Sequence, residues 1–120
     1  GFADVTYVLH GNAVLGKWLI NGETFPEVTI HQVAYEQEAI IEVRNLSGAE
    51  HPFHLHGYGF EVLSRNGVPP AMRTVEDTIN LKIYETVRLR IDGGNPGDWM
   101  AHCHILSHQS GGMMTVLRVE

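Results

Sequence analysis

No apolar pattern in this chain of 120 residues reaches helical length before a turn signal interrupts it. Thirteen glycines and clusters such as Asp92-Gly93-Gly94-Asn95-Pro96-Gly97 divide the sequence into short segments. Glycine, proline and asparagine end regular structure because they adopt or impose backbone angles that neither a helix nor a strand continues. Between the breaks, period-two alternation and β-branched residues dominate residues 5–9, 17–20, 39–45, 60–64, 77–81, 86–92, 99–103 and 114–119. Each reads as a strand, with Asn21-Gly22 and Asn66-Gly67 as hairpin turns. About eight short strands at regular spacing predict an all-β sandwich or barrel. Any helix is a single turn around residues 105–109.

The length suits one domain over residues 1–120, large enough to bury a single hydrophobic core. The formal net charge is -6, and no basic cluster interleaves with aromatics, which argues against nucleic acid as a partner. No apolar run approaches the roughly 18–20 residues of a membrane span, and no basic and apolar leader opens the chain. One cysteine excludes an internal disulfide and leaves the redox compartment open.

Histidine is distributed unevenly. Six of the eight lie in two short segments, HPFHLHG at 51–57 and AHCHILSHQSGGMM at 101–114. The second holds Cys103, with His108 five positions on and Met113 ten positions on. A thiolate with imidazoles and a weak thioether is the ligand set of a blue-copper electron-transfer site.

Strand geometry sorts the ligands, because successive side chains of an extended segment point to opposite sides. His102 and His104 share a side that Cys103 does not. His54 and His56 share a side, and His51, at odd separation from both, can turn the other way, with Pro52 bending the start of the segment. Cys103, His51, His108 and Met113 can therefore converge on one copper. His54, His56, His102 and His104 remain as an all-imidazole set on the other face, a set that zinc also accepts. Cys103 is covalently adjacent to members of both sets, giving an electron path from its sulfur through the backbone into His102 or His104.

These segments carry a resemblance. HPFHLHG and HCHILSHQSGGMM resemble the two copper-binding signatures in the C-terminal domain of multicopper oxidases, the laccase and copper-efflux oxidase family. WLINGETFP at 18–26 and EDTINLKIYETVRLRIDGGNPGDW at 76–99 extend the likeness over nearly the whole chain. The resemblance implies a cupredoxin-like Greek-key β-sandwich. It also implies His51, Cys103 and His108 as equatorial type 1 ligands with Met113 axial, His54 as a type 2 ligand, and His56, His102 and His104 as type 3 ligands of a trinuclear cluster. By the same resemblance the protein is periplasmic or extracellular.

The family's cluster takes half its histidines from HxH pairs in another domain, whereas His10 and His31 here stand alone. The expectation is therefore a homo-oligomer, a trimer or a multiple of it, with copper at the interface. The alternatives are another polypeptide or the rest of a longer oxidase. The leading function is copper-dependent electron transfer to O2 from a small reducing substrate, such as a phenol or Cu(I), or from an electron-transfer protein. The other readings are a blue-copper carrier that uses only the type 1 site, and copper storage. Met114 reads as core filler, His10 and His31 as surface or turn histidines, Trp18, Trp99 and Phe53 as core aromatics, and Glu76 and Asp77 as solvated.

Overall fold

Residues that alternate in the sequence alternate between core and solvent in space. The computed structural model describes residues 2–12, 17–23, 26–103 and 113–120. Eleven strands follow one another among the described residues: β1 (Val5–Asn12), β2 (Lys17–Ile20), β3 (His31–Val33), β4 (Ala39–Asn45), β5 (His51–Leu55), β6 (Phe60–Arg65), β7 (Val75–Glu76), β8 (Thr78–Leu81), β9 (Thr86–Ile91), β10 (Gly97–Cys103) and β11 (Met114–Val119). These residues contain no helix, and so none long and apolar enough to cross a membrane. The turn of helix expected around residues 105–109 lies outside the described residues.

The strands form two sheets, ordered β2-β1-β4-β9-β6-β7 and β3-β11-β10-β5-β8. Most neighbours are antiparallel, but β1 runs parallel to β4 and β3 parallel to β11. Parallel neighbours cannot be joined by a tight turn, so the chain crosses between the sheets, giving the expected two-layer Greek-key sandwich.

The inner faces meet as the alternation requires. β9 buries Val87, Leu89 and Ile91 and leaves Thr86, Arg88 and Arg90 partly exposed, and β11 buries Thr115, Leu117 and Val119. Each large aliphatic or aromatic side chain buried in this way contributes roughly 1.5–3 kcal/mol. Phe53 and Trp18 are buried in the core and Trp99 packs against it, in keeping with their reading as core aromatics. Asn21-Gly22 and Asn66-Gly67 each place both residues at positive φ, with bridges Ile20–Glu23 and Arg65–Val68 closing the turns. That conformation matches the twist of the flanking strands, which is why Asn-Gly marks a hairpin.

Three features depart from the alternation. β3, β5 and β7 have no counterpart among the eight strand segments: three and two residues are too short for β3 and β7 to show a period, and β5 carries Pro52. Pairing with longer neighbours holds the two short strands, β3 along β11 and β7 along β6. His31 therefore sits in a strand rather than a turn, with its ring 5.5 Å from that of Tyr7, and His10 lies within β1 opposite Leu19. Glu42 is buried on β4, where Arg88 directly across the strand pair and Arg44 hold its carboxylate at 3.1 and 2.8 Å. Two guanidinium partners offset the cost of removing a carboxylate from water.

Candidate metal centre

β5 and β10 are neighbours near the middle of the five-stranded sheet, in the register Phe53–Cys103, His54–His102 and Leu55–Ala101. The pleat then sends His51, Phe53 and Leu55 inward and His54 outward. The two ligand-rich segments, about fifty residues apart in sequence, are brought together by a few residues of antiparallel pairing.

On the inner face, His51 and Cys103 are almost completely buried. His51 Nδ1 lies 3.2 Å from Cys103 Sγ. Imidazole and thiolate ligands bound at about 2.0–2.3 Å to one tetrahedral ion lie about 3.5 Å apart, so this spacing suits a shared metal with a small opening of the pair. Met113 is fully buried, and its carbonyl accepts the Cys103 amide at 3.4 Å, which places the two residues side by side. Trp18 meets the His51 ring edge-on at 5.2 Å. Ser47 Oγ lies 2.6 Å from His51 Nε2. His108, the remaining member of the sequence-derived set, lies outside the described residues.

On the outer face, His54, His56 and His102 present ring nitrogens within 4.8 Å of one another. His56 Nε2 and His102 Nε2 are 2.9 Å apart. Backbone carbonyls set two of the tautomers. His54 Nδ1 faces the Asp77 carbonyl at 2.8 Å and Thr78 Oγ1 at 3.1 Å, and His102 Nδ1 faces the Cys103 carbonyl at 2.9 Å. A carbonyl only accepts, so each Nδ1 carries a proton, and in the neutral ring that a metal would bind Nε2 presents its lone pair. Such a set of neutral imidazoles suits copper, nickel, iron or zinc, and with the thiolate and imidazole behind it the donors fit copper. His104 lies outside the described residues.

His56 is held by a clamp that its own segment does not reveal. Its amide donates to the Met100 carbonyl at 2.9 Å, and Gly57 follows at φ 81° beneath the indole of Trp99, so close that a Cβ there would overlap the ring. Trp99 Nε1 donates to the Asn95 carbonyl at 2.9 Å, and Asn95 Nδ2 donates to the Gly57 carbonyl at 3.0 Å. Tyr58 packs edge-on against Trp99 and also bonds Asn95, and its burial pushes the phenol above its ordinary range. An open cleft of ≈ 680 Å³ beside the cluster is lined in part by His54, Gly57, Glu76 and Asp77. Glu76 and Asp77 are exposed to solvent, as expected for both side chains.

The sequence reading named the candidate ligands and missed the residues that hydrogen-bond around them: Asn45, Ser47, Asn95 and the Thr78 hydroxyl. The glycine directly after HLH was the one available signal, since a lone glycine in a strand pattern marks a close backbone approach.

The chain matches the family described as Multicopper oxidase over residues 3–120. It is 36% identical over 107 residues to Multicopper oxidase mco of Staphylococcus haemolyticus, covering 83% of this chain and 24% of that protein. To Multicopper oxidase MmcO of Mycobacterium tuberculosis it is 32% identical over 114 residues, covering 95% and 22%. Among solved structures, a laccase from Pediococcus acidilactici superposes with a TM-score of 0.86 at 34% identity, over 98% of this chain and 27% of that one. McoA multicopper oxidase from Aquifex aeolicus gives 0.84 at 32% identity, over 98% and 29%. The chain spans about a quarter of the length of these relatives.

Proposed function

The chain belongs to the multicopper oxidase family, as a copper protein with a cupredoxin-like sandwich, and from this we propose that residues 1–120 form one electron-transfer domain serving O2 reduction. Among the described residues, His51 and Cys103 lie on the inner face of one sheet and His54, His56 and His102 cluster on its outer side. His51, Cys103, His108 and Met113 would hold a type 1 copper inside the sandwich. His54, His56, His102 and His104 would hold half of a type 2 and type 3 cluster outside it. When bound, copper supplies one-electron redox chemistry to both places.

The observation that carries this reading is the division at β10. Cys103 faces His51 at 3.2 Å, while its sequence neighbour His102 joins His54 and His56 on the other side. The peptide unit between residues 102 and 103, with the His102 Nδ1–H bond to the Cys103 carbonyl, connects the two sets. Burial of His51 and Cys103 excludes water from the inner pair. The open cleft beside His54 leaves the outer set approachable.

The remaining histidines of the cluster come from outside these 120 residues. We infer a second copy of the chain as their source, in a homo-oligomer, trimeric or a multiple of it, with copper at the interface, because a symmetric assembly presents the same histidine face repeatedly. The length of the relatives favours a second reading, in which further domains of one polypeptide provide them. The electron donor is a small reducing molecule or an electron-transfer protein, and the setting is periplasmic or extracellular.

The test is copper per chain on the copper-loaded protein, together with its visible spectrum and solution mass. More than one copper per chain in an oligomer with an intense thiolate band supports the interfacial cluster. One blue copper per monomer assigns the missing ligands to another domain or reduces the function to electron carriage, and copper without a thiolate band leaves storage. Replacing His102 and His104 should abolish O2 consumption and leave the blue band. Unchanged O2 uptake in that variant would refute the oxidase reading.

A further inference from the structure

His51 has a second ring nitrogen, and its surroundings determine which nitrogen carries the proton. Nε2 lies 2.6 Å from Ser47 Oγ, and both residues are buried. The same hydroxyl lies 2.7 Å from Asn45 Oδ1 and 3.0 Å from the Ala49 carbonyl.

The orientation of the Asn45 amide is fixed by its other contacts. Its Nδ2 donates toward the carbonyls of Ala49, Leu81 and Lys82 at 2.8, 3.3 and 3.1 Å, and its Oδ1 accepts the Ser47 amide at 3.1 Å. Exchanging nitrogen and oxygen would set an oxygen against three carbonyls. Asn45 Oδ1 and the Ala49 oxygen are therefore acceptors only, and serine has one proton to give. Were that proton on the His51 side, the hydroxyl oxygen would meet Asn45 Oδ1 lone pair to lone pair at 2.7 Å. Ser47 thus donates toward Asn45 Oδ1 or the Ala49 carbonyl and accepts from His51 Nε2–H. Nδ1 is left with its lone pair, directed at Cys103 Sγ 3.2 Å away.

We propose that Ser47 is a positioning residue of the inner metal site: its hydroxyl, oriented by Asn45, holds His51 as the Nε2–H tautomer with Nδ1 aimed at the metal position beside Cys103. The inference rests on the reading that His51 and Cys103 share a copper. A hydrogen bond accepted from the far ring nitrogen fixes ring orientation and raises the basicity of the ligating one. A more basic imidazole stabilises Cu(II) more than Cu(I), so Ser47 tightens Cu(II) binding and lowers the reduction potential.

The tautomer can be read without any substitution. Long-range proton–nitrogen correlation on the metal-free wild-type protein should show His51 protonated at Nε2, and protonation at Nδ1 overturns the proposal. S47A should weaken Cu(II) binding in chelator competition by about 10–100-fold and raise the midpoint potential followed at the blue band. S47T, which keeps the hydroxyl, should return both toward wild type. S47A with wild-type affinity and potential overturns the proposal. So does S47T failing as S47A does while the metal-free melting temperatures fall equally, which would be a purely structural role. H51A separates this result from the underlying site. A blue band that survives H51A refutes the shared copper itself, whereas a band lost in H51A, with copper affinity and midpoint potential unaltered in S47A, refutes only the part played by Ser47.

Discussion

His102 and Cys103 are consecutive residues that face opposite sides of one strand, and the ring of the first reaches back to the carbonyl of the second at 2.9 Å. The contact sets the His102 tautomer and ties the outer imidazole cluster to the backbone of the inner thiol. The outer histidine is thereby steadied by a main-chain atom of the inner residue.

Separate faces should give separable losses. C103S removes the only thiol and should abolish any intense blue absorption while leaving copper on the outer imidazoles. Absorption spectra paired with metal analysis check this. Complete loss of copper from C103S would show that the two sets do not bind independently.

Gly57 should tolerate no side chain. Alanine there adds a positive-φ penalty of about 1–2 kcal/mol to overpacking of about 1–3 kcal/mol against Trp99. Urea denaturation of G57A should therefore show a loss of about 2–5 kcal/mol, and the displaced His56 should weaken copper on the outer face. An unchanged denaturation midpoint would mean that the indole swings away freely.

The pair Asp98–Arg118 gives a pH dependence of known sign. The residues are directly opposed across β10 and β11 in a two-pronged contact at 2.8 and 3.0 Å, and the guanidinium holds the Asp98 carboxyl below its ordinary range. A depressed folded-state value contributes stability above the unfolded value of about 3.9, and that contribution fades as pH falls through the lower folded value. D98N should melt slightly below wild type at neutral pH, and the gap should close in acid below about pH 4. Both side chains are partly exposed to solvent, so the gap should also shrink with added salt. Melting curves across pH and ionic strength measure both effects.

Copper should stabilise the fold by mass action, since Cys103, His51 and the outer histidines come together only when β5 and β10 pair. Free metal at about one hundred times the dissociation constant contributes about 2.7 kcal/mol. Calorimetry should show a melting temperature that rises with copper and returns to the metal-free value with chelator. The rise should be smaller in C103S.

Most of the sandwich was legible because its longer strands alternate over six or more residues, as in β4 and β9, and because Asn21-Gly22 and Asn66-Gly67 announce their turns. The grouping of the described candidate ligands was legible for the same reason, as parity within residues 51–54 and 101–103 decides which side each residue faces. What stayed hidden depends on a third partner. Ser47 matters only because Asn45, Ala49 and His51 surround it, and nothing in NLSGAEH specifies which of them its hydroxyl meets. Asn95 reads as one more turn residue until Gly57, Tyr58 and Trp99 are folded onto it. Glu42 looks like a surface residue until Arg88 arrives from forty-six positions away.

Because His51 and His54 lie on β5 and His102 and Cys103 on β10, the separation of the inner pair from the outer histidines depends on the residue count of each strand. Removing one residue between His51 and His54 would invert the parity of the segment and send a core ligand to solvent or an outer ligand into the sandwich. Substitutions at Pro52 or Leu55 would leave that parity intact. The segment is thus locked in count, and the separation of the inner pair from the outer histidines persists only while that count is kept.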